Sequence, residues 1–482
     1  MDIVDFLHHP VVLCVLTTIW TLLVWFMAHR SQMFKLPPGP SGLPFLGYYP
    51  FLSSEPEKDY TRMGKIYGDI FSFRSLGGNL IVVVNSAKLI KEVLVKRADE
   101  FQGRPQSYSL DSWFTGGLGF TQEGGKVWDE QRQFFLKAIS QMGFGTPELE
   151  NQIQDEILQM LEEIRLSKEQ STDVHFHMNL ILSKIMSYIL FNEKFDKNMF
   201  LEMLLVSMNK IIPIFKSKNS ILVGSMLRIK ALLSPAMRTA HELKDFGRRG
   251  IDSLINEKVK SLESSSSKCY VDAYLQHRKE LQSNGKDTES SFTVERLQAN
   301  SMDLFFKGIE SVSSTMSNML IELSKHQVVQ ETLQEEMDSV VGRDRLLSWS
   351  DKQNLPKLDA AIQELYRITS QFLTTRFYSN FKATMIDGYW IPKRSIICAN
   401  LGAVHFNPEI YPDPEKFQFE RFLNKEGKPM KREGPYPFGI GKRSCVGEFL
   451  AQVEVFIIIG SLLQNFRILP GDSKGTLRFL RR

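Results

Sequence analysis

Apolar side chains recur at three- and four-residue intervals over most of this chain, the spacing of one face of an α-helix. The pattern predicts helices over Ala87 to Val95, Lys126 to Gln141, Pro147 to Leu166, His177 to Phe191, Lys197 to Ile211, Pro235 to Glu263, Tyr270 to Gln282, Thr293 to Lys325, Val328 to Val341, Lys357 to Thr369 and Glu448 to Leu463. Period-two alternation is confined to short pieces. Ile70 to Phe73 and Ile81 to Val84 flank Gly77-Gly78 and read as a hairpin. Arg376 to Ser379 and Ser395 to Ala399 read as returning strands. Arg104 to Gly125 breaks both periods; it mixes Gly, Ser and Thr with Trp113, Phe114 and Phe120 and reads as a loop with aromatic contacts. Ser264 to Ser267 reads as a solvated turn between helices. The expected fold class is mainly α with small β regions, and no linker divides the body, so residues 48–482 form one large domain in this reading.

The N-terminus follows another pattern. Val11 to Ala28 carries no charge, and about 18 to 20 such residues span a bilayer as a helix. Asp2 and Asp5 precede the run, and Arg30 and Lys35 follow it. That asymmetry puts the following body in the cytosol. The rival, a cleaved signal peptide, lacks a small-x-small site and has acidic residues in front. Residues 1–30 are therefore read as a retained membrane anchor. Leu36-Pro37-Pro38-Gly39-Pro40, with more Gly and Pro up to Gly47, makes residues 31–47 a stiff, extended hinge.

Composition changes this picture little. Hydrophobic residues are 43% and charged residues 24%, ordinary values for a globular body. A net charge of +4 suits an anionic membrane surface or an acidic partner and gives no case for nucleic acid. Cys14, Cys269, Cys398 and Cys445 share no close spacing, which speaks against a zinc site or disulfide framework and for a reducing compartment.

The strongest chemical signal is Phe438 to Gly447, FGIGKRSCVG. It sets Cys445 between glycines, beside Arg443, at the mouth of a helix. Glycines let a turn approach a flat object closely. Helix-end amides and a nearby cation such as Arg443 favour a thiolate. A thiolate on a glycine-lined turn is what a haem iron needs as axial sulfur ligand.

The string resembles the haem-binding signature of the cytochrome P-450 family at Phe438, Gly439, Gly441, Arg443, Cys445 and Gly447. The resemblance implies haem b (iron protoporphyrin IX), with Cys445 on the metal. Other motifs agree in order. Glu364 and Arg367 resemble the family's Glu-x-x-Arg pair, and Arg421 in Phe419-Glu420-Arg421-Phe422 matches its later arginine, although Phe419 replaces the usual proline. The family's charges form a buried triad behind the cysteine turn. Trp128 and Arg132 match residues that hold a haem propionate, and both are pure donors. Arg376 and Arg443 are further propionate candidates by resemblance.

On the Thr293 to Lys325 helix the family pattern of small residue, Gly, any, acid, Thr becomes Lys307-Gly308-Ile309-Glu310-Ser311. Gly308 is expected to allow a local helix distortion for oxygen. Glu310 and Ser311 keep an acid and a hydroxyl for proton relay. Lys307 departs from the family. Its amine is expected to pair with a carboxylate such as Glu310, or to meet an acidic substrate, or to approach the iron. The implied substrate pocket is lined by Phe114, Phe120, Phe305, Phe306, Lys307, Ile309, Phe372 and Leu373. After Pro470 only GDSKGTLRFLRR follows, and the family's C-terminal hairpin reads as shortened or missing.

The resemblance is to the microsomal class; the WDEQRQFFLKAI and QMGFG segments resemble insect-type members. It implies an endoplasmic reticulum membrane protein that inserts one oxygen atom from O2 into a lipophilic substrate. NADPH electrons would arrive through a flavoprotein reductase, with cytochrome b5 as an accessory donor. Lys126, Lys137, Lys431, Arg432 and Lys442 would form the basic docking face. Two alternatives stand: a haem-thiolate isomerase or dehydratase that needs no O2, and a degenerate haem binder, suggested by Lys307 and the short tail.

Overall fold

The computed structural model describes residues 12, 14–22, 36–105, 115–142, 147–193, 235–261, 268–285 and 290–482. In chain order the main helices are α1 (Pro56–Tyr67), α2 (Ala87–Lys91), α3 (Gly125–Gln141), α4 (Pro147–Leu166), α5 (Val174–Phe191), α6 (Pro235–Ser261), α7 (Tyr270–Ser283), α8 (Val294–Leu323), α9 (Gln327–Val340), α10 (Pro356–Ile368) and α11 (Glu448–Asn465). The strands are β1 (Ile70–Arg74), β2 (Leu80–Val84), β3 (Thr172–Asp173), β4 (Tyr378–Ser379), β5 (Thr384–Ile386), β6 (Tyr389–Ile391), β7 (Ile396–Ala399), β8 (Phe466–Pro470) and β9 (Thr476–Arg481). The chain falls into two compact units, one of residues 1–105 and 373–404, the other of 106–372 and 405–482.

The first unit is built on a sheet of order β1-β2-β7-β4. Ile70 pairs with Val84 and Arg74 with Leu80 in the predicted hairpin. Gly77 and Gly78 turn it with φ of 77° and 80°, a region open to glycine at little cost. β2 then pairs in parallel with β7, Ile81 to Ile396. Tyr60 and Met63 of α1 cover Phe71, Phe73, Ile81 and Val83. The periodicity did not reveal α1, whose residues are largely polar; only Asp59, Tyr60 and Met63 are buried. The β5–β6 hairpin was also missed, although Asp387-Gly388, both at positive φ, is a strong turn signal. Past α2 the predicted helix changes to a π-helical turn over Glu92–Lys96.

The second unit is helical. α5 and α11 are apolar on nearly every face, as helices surrounded by protein must be. Each is long and apolar enough to cross a membrane, but 67% of α5 and 72% of α11 lie buried inside the fold. Their caps are local. Asp173 accepts the His175 and Phe176 amides at 3.0 and 3.2 Å, and Thr293 accepts the Arg296 amide at 3.2 Å. These two caps start α5 and α8, which carry the residues discussed below.

At the C-terminus the missing-hairpin alternative is excluded, and a short hairpin is present. β8 and β9 form an antiparallel hairpin, Phe466 opposite Arg481, and β3 adds to its edge. Arg482 closes it on Asp338 at 2.8 Å. The tail is thus a paired, buried element, with Phe466, Ile468, Leu477 and Phe479 in the core. At the other end, residues 14–22 are helical. The remainder of the predicted anchor apart from residue 12, the Lys197 to Ile211 helix, the Ser264 to Ser267 turn, Trp113 and Phe114 lie outside the described residues.

Candidate active site

The cysteine turn is held by its own backbone. Cys445 N donates to Phe438 O at 2.8 Å, Ser444 N to Gly441 O at 3.0 Å, and Gly439 N to Tyr436 O at 3.0 Å. Gly439 and Gly441 stand at φ of 70° and 82°, a conformation that would strain any side chain. Gly447 caps α11. The Cys445 thiol is exposed, yet surrounding protein desolvates it and pushes its pKa up; the Gly447 amide and Arg132 oppose that shift, and Glu448 adds to it. Accessible surface combined with desolvation marks a group that lines an interior space. The helping cation is Arg132, where the sequence suggested Arg443.

Behind the turn lies a fully buried charge cluster. Arg367 donates to both oxygens of Glu364, at 2.7 and 2.8 Å, and Arg421 donates to Oε1 at 3.3 Å. The Gln418 amide adds a bond to the same oxygen at 3.0 Å. Remaining guanidinium protons go to carbonyls: Arg367 to His405 O at 2.9 Å, Arg421 to Asp413 O at 2.9 Å and to Pro412 O. Buried charges persist only when paired and hydrogen-bonded in this way. His405, which sequence reading overlooked, joins this cluster to the turn. Its Nδ1 lies 3.3 Å from Arg367 O and its Nε2 accepts the Tyr436 amide at 2.8 Å. Burial pushes its pKa down to about 4, so the ring is neutral. Tyr366, next to Arg367, sets its ring edge-on to Phe438 at 5.3 Å.

Cationic donors gather beside the turn. Arg443 stacks on the Trp128 ring at 4.1 Å and donates to Glu123 O. Arg132 approaches the same ring at 5.7 Å. Trp128 itself is buried, and its indole N–H donates to Phe120 O at 3.0 Å. The indole is thus committed to the backbone here, and the two arginines are the groups suited to a carboxylate. In the first unit, Arg376 keeps an accessible surface, but desolvation, aided by Arg104, lowers its pKa to about 10. Arg104 donates to Phe377 O at 2.7 Å and covers the Tyr378 ring at 4.9 Å. Two neighbouring desolvated guanidiniums suit an anionic group. Arg104 was not singled out from sequence because a lone arginine in a loop carries no pattern.

Helix α8 departs from several expectations. It runs unbroken from Val294 to Leu323, so Gly308 causes no distortion. The glycine lets α8 lie close to α5: a Cβ there would come 3.0 Å from Met186 Sδ and require that side chain to shift. Ser311 Oγ donates back to Lys307 O at 2.6 Å. Glu310 accepts Ser314 Oγ at 3.0 Å and faces His175 Nε2 at 3.8 Å. Lys307 pairs with Asp303 at 2.6 Å, a different carboxylate from Glu310. Of the predicted pocket residues, Phe120, Phe305 and Ile309 belong to the buried core, whereas Phe306 and Lys307 are part-exposed and Phe372 is 49% exposed. Leu373 is part-buried in the first unit, with its carbonyl accepting the Gly402 amide at 2.8 Å. On the proposed docking face, Lys442 pairs with Asp129 at 2.8 Å and Arg432 donates to Arg421 O.

The residues fit a sulfur-ligated haem. The thiol is accessible, a Cβ built on Gly439 or Gly447 meets nothing within 4 Å, and the flanking cations match two propionates. Comparison with known proteins agrees. The family described as Cytochrome P450 matches residues 37–479. The chain is 30% identical to cytochrome P450 2E1 of Oryctolagus cuniculus over 460 residues, 93% of this chain and 90% of that protein. It is 31% identical to cytochrome P450 2J2 of Homo sapiens over 478 residues, 98% of this chain and 93% of that protein. It is 31% identical to cytochrome P450 2C8 of Homo sapiens, over 96% of this chain and 94% of that protein. The chain therefore belongs to the cytochrome P450 family, and with it to the haem monooxygenases.

Proposed function

We propose that this protein is a membrane-anchored haem-thiolate monooxygenase of the endoplasmic reticulum. It inserts one atom of O2 into a lipophilic substrate, such as a steroid, fatty acid, terpenoid hormone or xenobiotic, and reduces the other to water. NADPH supplies electrons through a flavoprotein reductase, with cytochrome b5 as a second donor. The carrying observation is the Cys445 thiol, accessible yet desolvated, on a glycine turn flanked by Arg132 and Arg443.

The haem, when bound, supplies the activation of dioxygen. Cys445 Sγ would hold its iron, and the Gly447 amide would offset charge on the sulfur. Arg132 and Arg443, which share the Trp128 ring, would hold its carboxylates. Glu310 offers a carboxyl for proton transfer, set between Ser314 Oγ–H, whose bond it accepts, and His175 Nε2. Ser311 Oγ–H, which donates to Lys307 O, would have to turn from that carbonyl before it could pass on a proton. Phe120, Phe305 and Ile309, apolar and buried, would exclude water and favour a lipophilic ligand. The Lys307–Asp303 pair weakens the degenerate reading, because it gives the amine a partner other than the iron.

The test is turnover of a lipophilic panel with reductase, NADPH and isotopically labelled dioxygen. One labelled atom in the product supports the proposal. Conversion that proceeds without O2 and NADPH would establish the isomerase reading instead. Glu310→Gln is expected to slow turnover about a hundredfold while the haem stays bound.

A further inference from the structure

Lys307 sits where its relatives' pattern calls for a small residue, and the structure gives it specific work. Nζ donates to Asp303 Oδ1 at 2.6 Å and to Thr121 Oγ1 at 2.5 Å. Asp303 Oδ2 accepts the Thr121 amide at 3.1 Å and its hydroxyl at 2.8 Å. One buried carboxylate, with its side chain 3% exposed, is thus shared between α8 and the loop before α3. The loop lies directly on the helix: a Cβ on Gly119 would fall 2.8 Å from Asp303 Oδ2 and 3.3 Å from Ala299 O. Neighbouring residues are fixed too. Phe120 O accepts Trp128 Nε1, Glu123 takes a two-point pair from Arg296 at 2.6 and 3.1 Å, and Glu123 O accepts from Arg443.

We propose that Asp303 and Lys307 are specificity-determining positioning residues. Together they clamp residues 119–123 against α8 and restrict which ligands reach the site. Without the ammonium, Asp303 would be a buried charge held by one hydroxyl and one amide, a costly arrangement. With it, the loop closes on a neutral pair, and an ammonium that donates to a carboxylate has no lone pair to offer a metal. The lysine side chain is 34% exposed, so solvent or a ligand can compete for it, and the clamp can open.

The access half of this proposal rests on the haem reading; the clamp does not. The test uses the full-length, haem-loaded protein. Amide exchange over residues 115–124 is followed by mass spectrometry, and imidazole and 4-phenylimidazole are titrated optically. Lys307→Met keeps the stem and removes the charge; it should speed loop exchange about tenfold and favour 4-phenylimidazole over imidazole by a similar factor. Lys307→Arg should retain wild-type behaviour. Thr121→Val leaves the ion pair in place, should give a smaller rise, and serves if Lys307→Met does not fold. Unchanged exchange in every folded variant overturns the clamp. Faster exchange with an unchanged ligand ratio overturns its role in access. Failure of the haem reading looks different: no optical shift with either imidazole in the wild type, while loop exchange still responds.

Discussion

Glu364 and Asp303 are both buried carboxylates in the second unit, yet one is locked and the other can be released. Glu364 is wholly enclosed; its partners Arg367 and Arg421 are 0% and 7% exposed, and their remaining donors end on backbone carbonyls. Asp303 has one cation whose side chain keeps a third of its surface. Solvent cannot compete for the first cluster and can for the second. The cluster under the cysteine turn therefore reads as a fixed foundation, and the one on α8 as a latch. A site that must keep a metal ligand in place while admitting varied ligands needs both.

Breaking the foundation should have the largest effect. Glu364→Gln leaves two buried guanidiniums short of a partner and should cost about 3–5 kcal/mol, seen as a large fall in Tm and loss of pigment on purification. Equal stability of variant and wild type would remove the distinction drawn here. Asp303→Asn should cost less, about 1–3 kcal/mol, with the pigment kept.

Packing between α5 and α8 comes next. Gly308→Ala forces a Cβ to within 3.0 Å of Met186 Sδ. Overpacking of this kind costs about 1–3 kcal/mol, and Met186→Val in the same chain should recover most of it. A neutral Gly308→Ala would show that the methionine simply swings aside.

Glu454 sharpens the contrast through pH. Desolvation alone raises its pKa from 4.5 to about 8, within α11. The folded chain then holds a proton that the unfolded chain has released. Its contribution to stability is full below the unfolded value and falls as pH rises toward about 8. Glu454→Gln should remove that decline, so its Tm advantage grows between about pH 5 and pH 8. A constant difference across this range would contradict the raised value. The smallest effect is expected at Lys442→Ala. Its partly solvated pair with Asp129 should contribute about 0.2–1 kcal/mol and fade with added salt in thermal melts.

The foundation was legible through the family resemblance of three strings, since Glu364 and Arg421 lie 57 residues apart and no local spacing joins them. FGIGKRSCVG, ELYR and FERF each fix a turn or a helix face, and their spacing survives folding. Helices with clear periods were read to within a few residues, as at Pro147–Leu166. The latch was not legible. The Asp303–Lys307 pair was overlooked although its i,i+4 spacing, acid first, favours it over Glu310. Thr121 and Asp303 lie 182 residues apart, so no local string ties the loop to α8. His405 was hidden for the same reason, since its role lies in bonds to Arg367 and Tyr436. Gly308 was read from its own helix alone, and its close approach to Met186 of α5 carries no local signal.

The central claim is that Cys445 sulfur binds a haem iron. The reduced, carbon-monoxide-bound absorption spectrum of purified wild type and Cys445→Ser tests it most directly. The wild type should show the red-shifted Soret band of thiolate ligation, and the serine variant should lose it. A colourless wild type after supply of hemin, or the same band in Cys445→Ser, would contradict the assignment.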